Sequence, residues 1–356
     1  MDDAARRARV DEVIATALDR LATDIAPATH SPQELLAPVA ALAAKGKRVR
    51  ALLVLTAHDA CGGHEPDRAV LVAGAVELFQ TAALIHDDVL DRSDSRRGLP
   101  STHRALEALH ADSGWLGDGA KFGEGGAILA GDLALMACQQ MLTAAIAGLP
   151  GDVAMAVGQR FGSMASLCTA GQYLDIRLAA QPLQALGGQT EAIFATMRAK
   201  TASYTAEGPL ALGAALAGLD AIAVDAWAAV GVPLGIAFQL RDDVLGALGA
   251  PETTGKPAGD DLREGKRTLL LSLALDRADA AGRAVLVGAV GVESASPEDI
   301  AAAVEVLSAS GAVEAVEIQI HDYAQRARKA LDAVAIDGPH RARLEGLIEA
   351  TVSRKD

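Results

Sequence analysis

The stretch AVLVAGAVELFQTAALIHDDVLD, residues 69–91, decides the fold. A run this long and this apolar is an interior helix, and it ends on three aspartates. The rest of the chain supports the same class. Apolar residues make up 51% of the sequence and aromatics only 3%, so alanine, leucine and valine carry the core. Alanine and leucine are strong helix formers, and there is no Asn to serve turns. Helical periodicity also marks residues 10–25, 51–60, 127–146, 153–178, 191–207 and 221–248, with three amphipathic helices across 297–352. No convincing strand alternation is found. Breaks fall at 61–66, 92–102, the glycine-rich excursion 110–126, and 250–265. None is long enough for a domain linker. The expectation is an all-α, single-domain bundle of about ten or more helices around a central cavity, spanning 1–356.

The formal net charge of -14 argues against nucleic acid or an anionic membrane as a bulk partner, since both need a basic field. Cys61, Cys138 and Cys168 are far apart with no CxxC pair, which points away from disulfides or zinc and toward a cytoplasmic setting. The N-terminus reads as charged, with no signal peptide. No transmembrane segment is expected.

Asp87, Asp88 and Asp91 close the helix 69–91. Asp87 and Asp91 stand at i and i+4 and share a face. Acids at a helix C-terminus oppose the helix dipole and repel one another. A hard divalent cation offsets both costs, and magnesium favours a few carboxylates completed by phosphate oxygens. A solvated acidic turn would account for one such motif. Here Asp87-Asp88-Val89-Leu90 recurs as Asp242-Asp243-Val244-Leu245, each copy after an apolar helix. The second copy has Gly246 at the fifth position, so Asp260 or Asp261 downstream is a candidate further acid. Basic groups accompany the acids: Lys47, Arg48 and Arg50 before one apolar helix, Arg96 and Arg97 after the first motif, Lys256 and Lys266 after the second. In an acidic protein, such clusters point to an anion held partly by cations and partly by metal.

These motifs resemble those of the trans-type polyprenyl diphosphate synthases, the family of farnesyl and geranylgeranyl diphosphate synthases. The likeness runs from about residue 45 to 275. It rests on Gly46-Lys47-Arg48-Val49-Arg50, on Asp87 to Asp91 with Arg96-Arg97-Gly98, and on Gly171-Gln172-Tyr173-Leu174-Asp175. Lys200-Thr201, Phe238-Gln239-Leu240-Arg241-Asp242-Asp243, Gly255-Lys256, Asp261-Leu262 and Gly265-Lys266 complete it. The resemblance implies that Asp87, Asp88, Asp91, Asp242 and Asp243 hold Mg2+, three ions per active site, against an allylic diphosphate. Arg96, Lys200 and Lys256 would contact that diphosphate. Lys47, Arg50, Gln80 and Arg97 would hold isopentenyl diphosphate. Thr201, Gln239 and Asp175 would line the pocket near the carbocation, and Lys266 would close a loop. A homodimer is also implied. Gly246 departs from the family pattern, which has a third acid there.

The implied reaction condenses the allylic diphosphate with isopentenyl diphosphate to a longer trans-polyprenyl diphosphate. The growing tail would run back along the helix of Asp87, past Ala82 and Ala83, toward Phe79. On this reading Ala82 permits growth beyond C15 and Phe79 forms a floor near C20. Two alternatives are a class I terpene cyclase and a non-catalytic subunit of a heteromeric synthase. A cyclase typically carries an Asn-led second metal motif, which a chain without Asn cannot have. A regulatory subunit typically loses its aspartates, and here one position alone departs. His86 reads as a hydrogen-bonded orienter of the neighbouring acids.

Overall fold

The protein is described by a computed structural model, in which residues 2–28, 31–249 and 259–353 are placed. Helices build it throughout. Among the described residues the only sheet is a two-stranded antiparallel pair, β1 (Ser95–Arg96) with β2 (Leu99–Pro100), inside the loop that follows the first acidic motif. The chain forms two compact units, Met1–Arg160 with Ala211–Ala221, and Phe161–Leu210 with Ile222–Asp356.

The first unit contains α1 (Asp3–Ile25), α2 (Pro32–Ala43), α3 (Val49–Ala60), α4 (Pro66–Leu90), α5 (Thr102–Asp112) and α6 (Gly119–Ile146). Its helix starts follow capping chemistry. Asp2 accepts the amide of Ala5 at the head of α1, Asp118 accepts those of Ala120 and Lys121 at the head of α6, and prolines begin α2 and α4. Helix α4 is buried along most of its length, with Val72, Val76, Leu78 and Ile85 wholly enclosed. Helix α6 packs against it, with Gly131 facing His86 and Met141 facing Gly74, and its small residues Ala127, Ala130, Ala134 and Ala137 are inaccessible. The excursion read as a loop over 110–126 is largely helical instead, because its glycines are packing surfaces. A Cβ at Gly123 would lie 2.3 Å from the carbonyl oxygen of His103, and one at Gly126 would lie 2.7 Å from Leu106 Cδ1.

The second unit holds most of α7 (Gly151–Ala179), then α8 (Thr190–Met197), a π-helical run (Arg198–Glu207), the start of α9 (Gly208–Leu216) and nearly all of α10 (Ala221–Leu248). Helices α11 (Asp260–Arg263), α12 (Leu269–Arg277), α13 (Ala280–Ala289), α14 (Pro297–Ala309), α15 (Ala312–Ala330) and α16 (Gly338–Ser353) follow. Its core gathers Ile193, Met197, Leu240, Leu270, Leu271, Leu286, Leu307 and Ile320. Ser296 and Asp299 cap α14 reciprocally.

The sequence reading that no run is long enough to span a bilayer needs correction. Helices α4, α6 and α10 are each long and apolar enough to cross a bilayer by length and composition. In α4 the apolarity serves packing, since 78% of its most apolar window is buried within the protein.

Candidate active site

In the first unit, the last turn of α4 presents the first acidic motif. Asp88 is inaccessible and accepts from Arg96, whose Nε lies 2.8 Å from its Oδ1. Asp87 lies 3.9 Å from the same guanidinium. The pairing repays the cost of enclosing a carboxylate, and it gives Asp88 an arginine partner rather than an outward-facing ligand position. His86 fixes the motif from behind. Its Nε2 meets the Ile128 carbonyl of α6 at 3.1 Å, and Gly131 leaves room for the ring, since a Cβ there would fall 2.3 Å from that nitrogen.

A cationic recess forms beside this motif within the same unit. Arg97 lies across Gly46, its Nη1 3.0 Å from where a Cβ would stand, and donates to the carbonyls of Leu42 and Lys45. Gly46 adopts φ +121°, so glycine meets both the backbone and the space requirement. Burial and the nearby charges of Arg50, Arg48 and Arg96 lower the pKa of Arg97, partly opposed by Glu77. Like charges so crowded are settled by an anion. Arg50, beside Arg97, is buried, Gln80 on α4 is buried as well, and Lys47 is exposed. Among the described residues, the non-glycine positions with left-handed backbone are Arg48, Arg92 and Arg97. All three flank the recess or the motif, where functional sites commonly store strain.

Arg48, read from the sequence only as one of the basic groups, has a structural partner, Glu77, that escaped the sequence reading. Arg48 donates to Asp11 at 2.6 Å and to the carbonyls of Ala43 and Lys45, and it lies 3.6 Å from Glu77. Glu77 also accepts the amide of Ala51 at 3.1 Å. The pair thereby pins the Lys47–Arg50 segment to α4. The signal for Glu77 was a lone acid within the apolar stretch 69–86, ahead of the aspartates, because a buried carboxylate requires a donor.

The second unit assembles the remaining candidates. Lys200 Nζ lies 2.6 Å from Asp175. Thr201 donates its hydroxyl to Gln239 Oε1 at 2.7 Å, and Gln239 Nε2 donates to Asp243 at 2.6 Å. Asp243 is buried, and its pKa is raised well above the usual carboxylate value. Burial is the main cause, Gln239 opposes it, and the charges of Asp261 and Asp242 add to it. Lys266 bridges Asp261 at 2.9 Å and Glu264 at 2.6 Å. Gly246 is explained by Asp261. A Cβ at 246 would lie 1.9 Å from Asp261 Oδ2, so the downstream carboxylate fills the space beside the motif's fifth position. Lys256 lies outside the described residues.

The donor chemistry fits magnesium. Both motifs offer hard carboxylate oxygens, and the crowding of Asp243 by Asp242 and Asp261 is a charge imbalance that a divalent cation relieves. Among the described residues no three acids, histidines or cysteines converge into a closed cage. Magnesium bound by few carboxylates, with phosphate oxygens and waters completing its shell, needs none.

An all-helical chain carrying these two acid sets and a cationic recess defines a class, and comparison with known proteins assigns it. The polyprenyl synthetase family matches residues 32–307, and the chain belongs to that family of trans-prenyltransferases. It is similar to the geranylfarnesyl diphosphate synthase of Aeropyrum pernix, 33% identical over 314 residues that cover 87% of this chain and 91% of that one. The geranylgeranyl diphosphate synthase of Methanosarcina mazei is 30% identical over 340 residues, 95% of each chain. Among solved structures, the geranylgeranyl pyrophosphate synthase of Corynebacterium glutamicum, complexed with isoprenyl diphosphate and magnesium, superposes with a TM-score of 0.93. It is 37% identical and covers 99% of this chain and 100% of that one.

Proposed function

We propose that the protein condenses an allylic diphosphate with isopentenyl diphosphate to make geranylgeranyl diphosphate, C20, using three magnesium ions. The observation that carries this reading is the arginine recess around Gly46 beside the first acidic motif. A terpene cyclase binds one diphosphate and has no use for a second anion site of this kind.

Magnesium, when bound to the aspartates, neutralises charge growing on the departing diphosphate. Arg96 and Lys200 assist that departure from the protein side, and Lys256 joins them on the family pattern. Asp175 holds the Lys200 ammonium in place. Arg97, Arg50, Lys47 and Gln80 hold the diphosphate of isopentenyl diphosphate, so its double bond meets the allylic cation at high effective concentration. Thr201 spends its proton on Gln239, which leaves oxygen lone pairs to stabilise positive charge. The proton lost at the end goes to the released diphosphate, since no side chain is placed as a base.

Product length is set along α4. Phe79, Ala83, Asp87 and Asp91 follow one i, i+4 ridge. Ala83 is partly open, whereas Ala82 is inaccessible. The partly open Ala83 is proposed, together with Ala82, as the small surface that lets the tail pass. Phe79 sits about 12 Å back from Asp87 along the helix axis and forms the floor near C20. The free thiols Cys61, Cys138 and Cys168 support a reducing cytoplasmic setting. A homodimer is proposed through α6, where Phe122, Leu129 and Met136 form an exposed stripe at seven-residue spacing.

The test is product analysis by mass spectrometry after incubating the protein with magnesium, isopentenyl diphosphate and farnesyl diphosphate. A C20 diphosphate is expected from the wild type and longer products from Phe79→Ala. No elongated diphosphate from the wild type would overturn the reading. An unchanged length distribution in Phe79→Ala would remove the proposed floor.

A further inference from the structure

Lys200 and Thr201 do not lie on an α-helix. They belong to a π-helical run of ten residues, Arg198–Glu207, and its closing amide, Gly208 N–H, bonds the carbonyl of Ser203 five residues back. Such runs are rare, usually last a single turn and cluster at functional sites. A π-helix is wider than an α-helix, so its neighbours must give way.

They do so through glycine. On α7, a Cβ at Gly171 would stand 2.1 Å from the Lys200 amide nitrogen and 2.5 Å from its Cα. On α10, a Cβ at Gly235 would stand 2.5 Å from Ala202 Cα, and one at Gly231 would stand 2.4 Å from Glu207 Cα. Each obstacle is backbone, which cannot swing aside as a side chain would. Helix α7 also grips the same residue from its other end: the Cys168 thiol donates to the Lys200 carbonyl at 3.4 Å. The amide and the carbonyl of Lys200 are thus both set by one helix, three residues apart.

We infer that Gly171, Gly231 and Gly235, with Cys168, are positioning residues that hold the π-helical run open and so place the Lys200 ammonium and the Thr201 hydroxyl. The inference rests on the assignment of Lys200 to the allylic diphosphate. An added methyl at Gly171 drives the Lys200 backbone away from α7. It breaks the register between Lys200 and Asp175, and between Thr201 and Gln239, without touching either side chain. Misplacement of this kind by about 1 Å costs on the order of 100-fold in turnover efficiency.

The experiment compares Gly171→Ala and Gly235→Ala with Gly346→Ala, a helical glycine whose added Cβ meets nothing within 4 Å. KM is measured separately for farnesyl diphosphate and isopentenyl diphosphate, with melting temperature recorded for each variant. The expected result is a KM for the allylic substrate raised on the order of tenfold, a KM for isopentenyl diphosphate changed less than twofold, and a lower kcat. Cys168→Ser, which keeps a donor, should stay near wild type, and Cys168→Val should shift in the same direction as Gly171→Ala. Equal changes in both KM values, or a lowered melting temperature with unchanged constants, would overturn the inference. Inactivity of the wild type itself would instead sink the functional reading, so the two failures are distinguishable.

Discussion

At the residue scale, the motif that departs from the family pattern is the informative one. Gly246 leaves the space that Asp261 occupies, and Lys266 ties that carboxylate down. Gly246→Ala must push Asp261 away from the neighbourhood of Asp242 and Asp243. Changes in the groups that orient metal ligands cost about 10- to 100-fold in metal affinity. The magnesium concentration for half-maximal activity should therefore rise at least several-fold, which a metal titration at fixed substrate would read. An unchanged titration would detach Asp261 from metal binding. Cys138 permits a separate test of burial. Its thiol is pushed from the usual 9.0 to about 12, chiefly by enclosure. Between those values the folded chain holds a proton that the unfolded chain has released. The contribution of this thiol to stability is unchanged below pH 9 and turns unfavourable above it by about 1.4 kcal/mol per pH unit, up to about pH 12. Urea unfolding at pH 8 and pH 10.5 should show this decline in the wild type, with that part of it missing in Cys138→Ala.

At the element scale, α4 is both a largely buried helix and the support of the first motif, and one ion pair couples it to α3. Arg48 and Glu77 are each about 3% exposed, and Glu77 also caps the amide of Ala51. Removing the acid leaves an enclosed guanidinium short of its counter-charge, which typically costs 3–5 kcal/mol. Glu77→Ala should lose about 3 kcal/mol in urea unfolding and should raise the KM for isopentenyl diphosphate. A loss below 1 kcal/mol would mean that Asp11 alone satisfies Arg48. The apolar runs and acidic motifs were legible in the sequence because helix periodicity and carboxylate spacing are local signals. Helices α2, α5, α12 and α13 were missed because short amphipathic stretches give weak periodicity. The helical character of the 110–126 excursion was hidden because Gly119, Gly123, Gly125 and Gly126 read as turn residues, whereas Gly123 and Gly126 serve close approach to α5. The π-helical run left no local trace. Its one sequence signal was indirect, a pair of glycines at 231 and 235 inside an otherwise apolar helix, where each costs about 1 kcal/mol unless packing demands it.

At the scale of the whole molecule, the net charge of -14 and the arginine recess answer different needs. An acidic exterior repels polyanions, while a few crowded, partly dehydrated arginines hold a small one. The same contrast governs self-association. The proposed self-association would use the outward stripe of α6, whose large apolar side chains surround the exposed Asp132. Phe122, Leu129 and Met136 are 39%, 57% and 52% exposed, and Ile128 beside them is 47% exposed. These side chains are already about half buried, so covering them recovers only part of the about 1.5–3 kcal/mol that full burial of such a side chain yields, and a symmetric pairing that covers the stripe twice would draw on that gain against the cost of association. Introducing acids there should reverse the balance, because each like charge would face its symmetry mate in a desolvated interface. If the proposed dimer forms through this stripe, the wild type runs as a dimer in multi-angle light scattering and the double variant Leu129→Asp, Met136→Asp as a monomer, with its far-UV circular dichroism preserved. A double variant that remains dimeric would place the pairing surface elsewhere on the molecule.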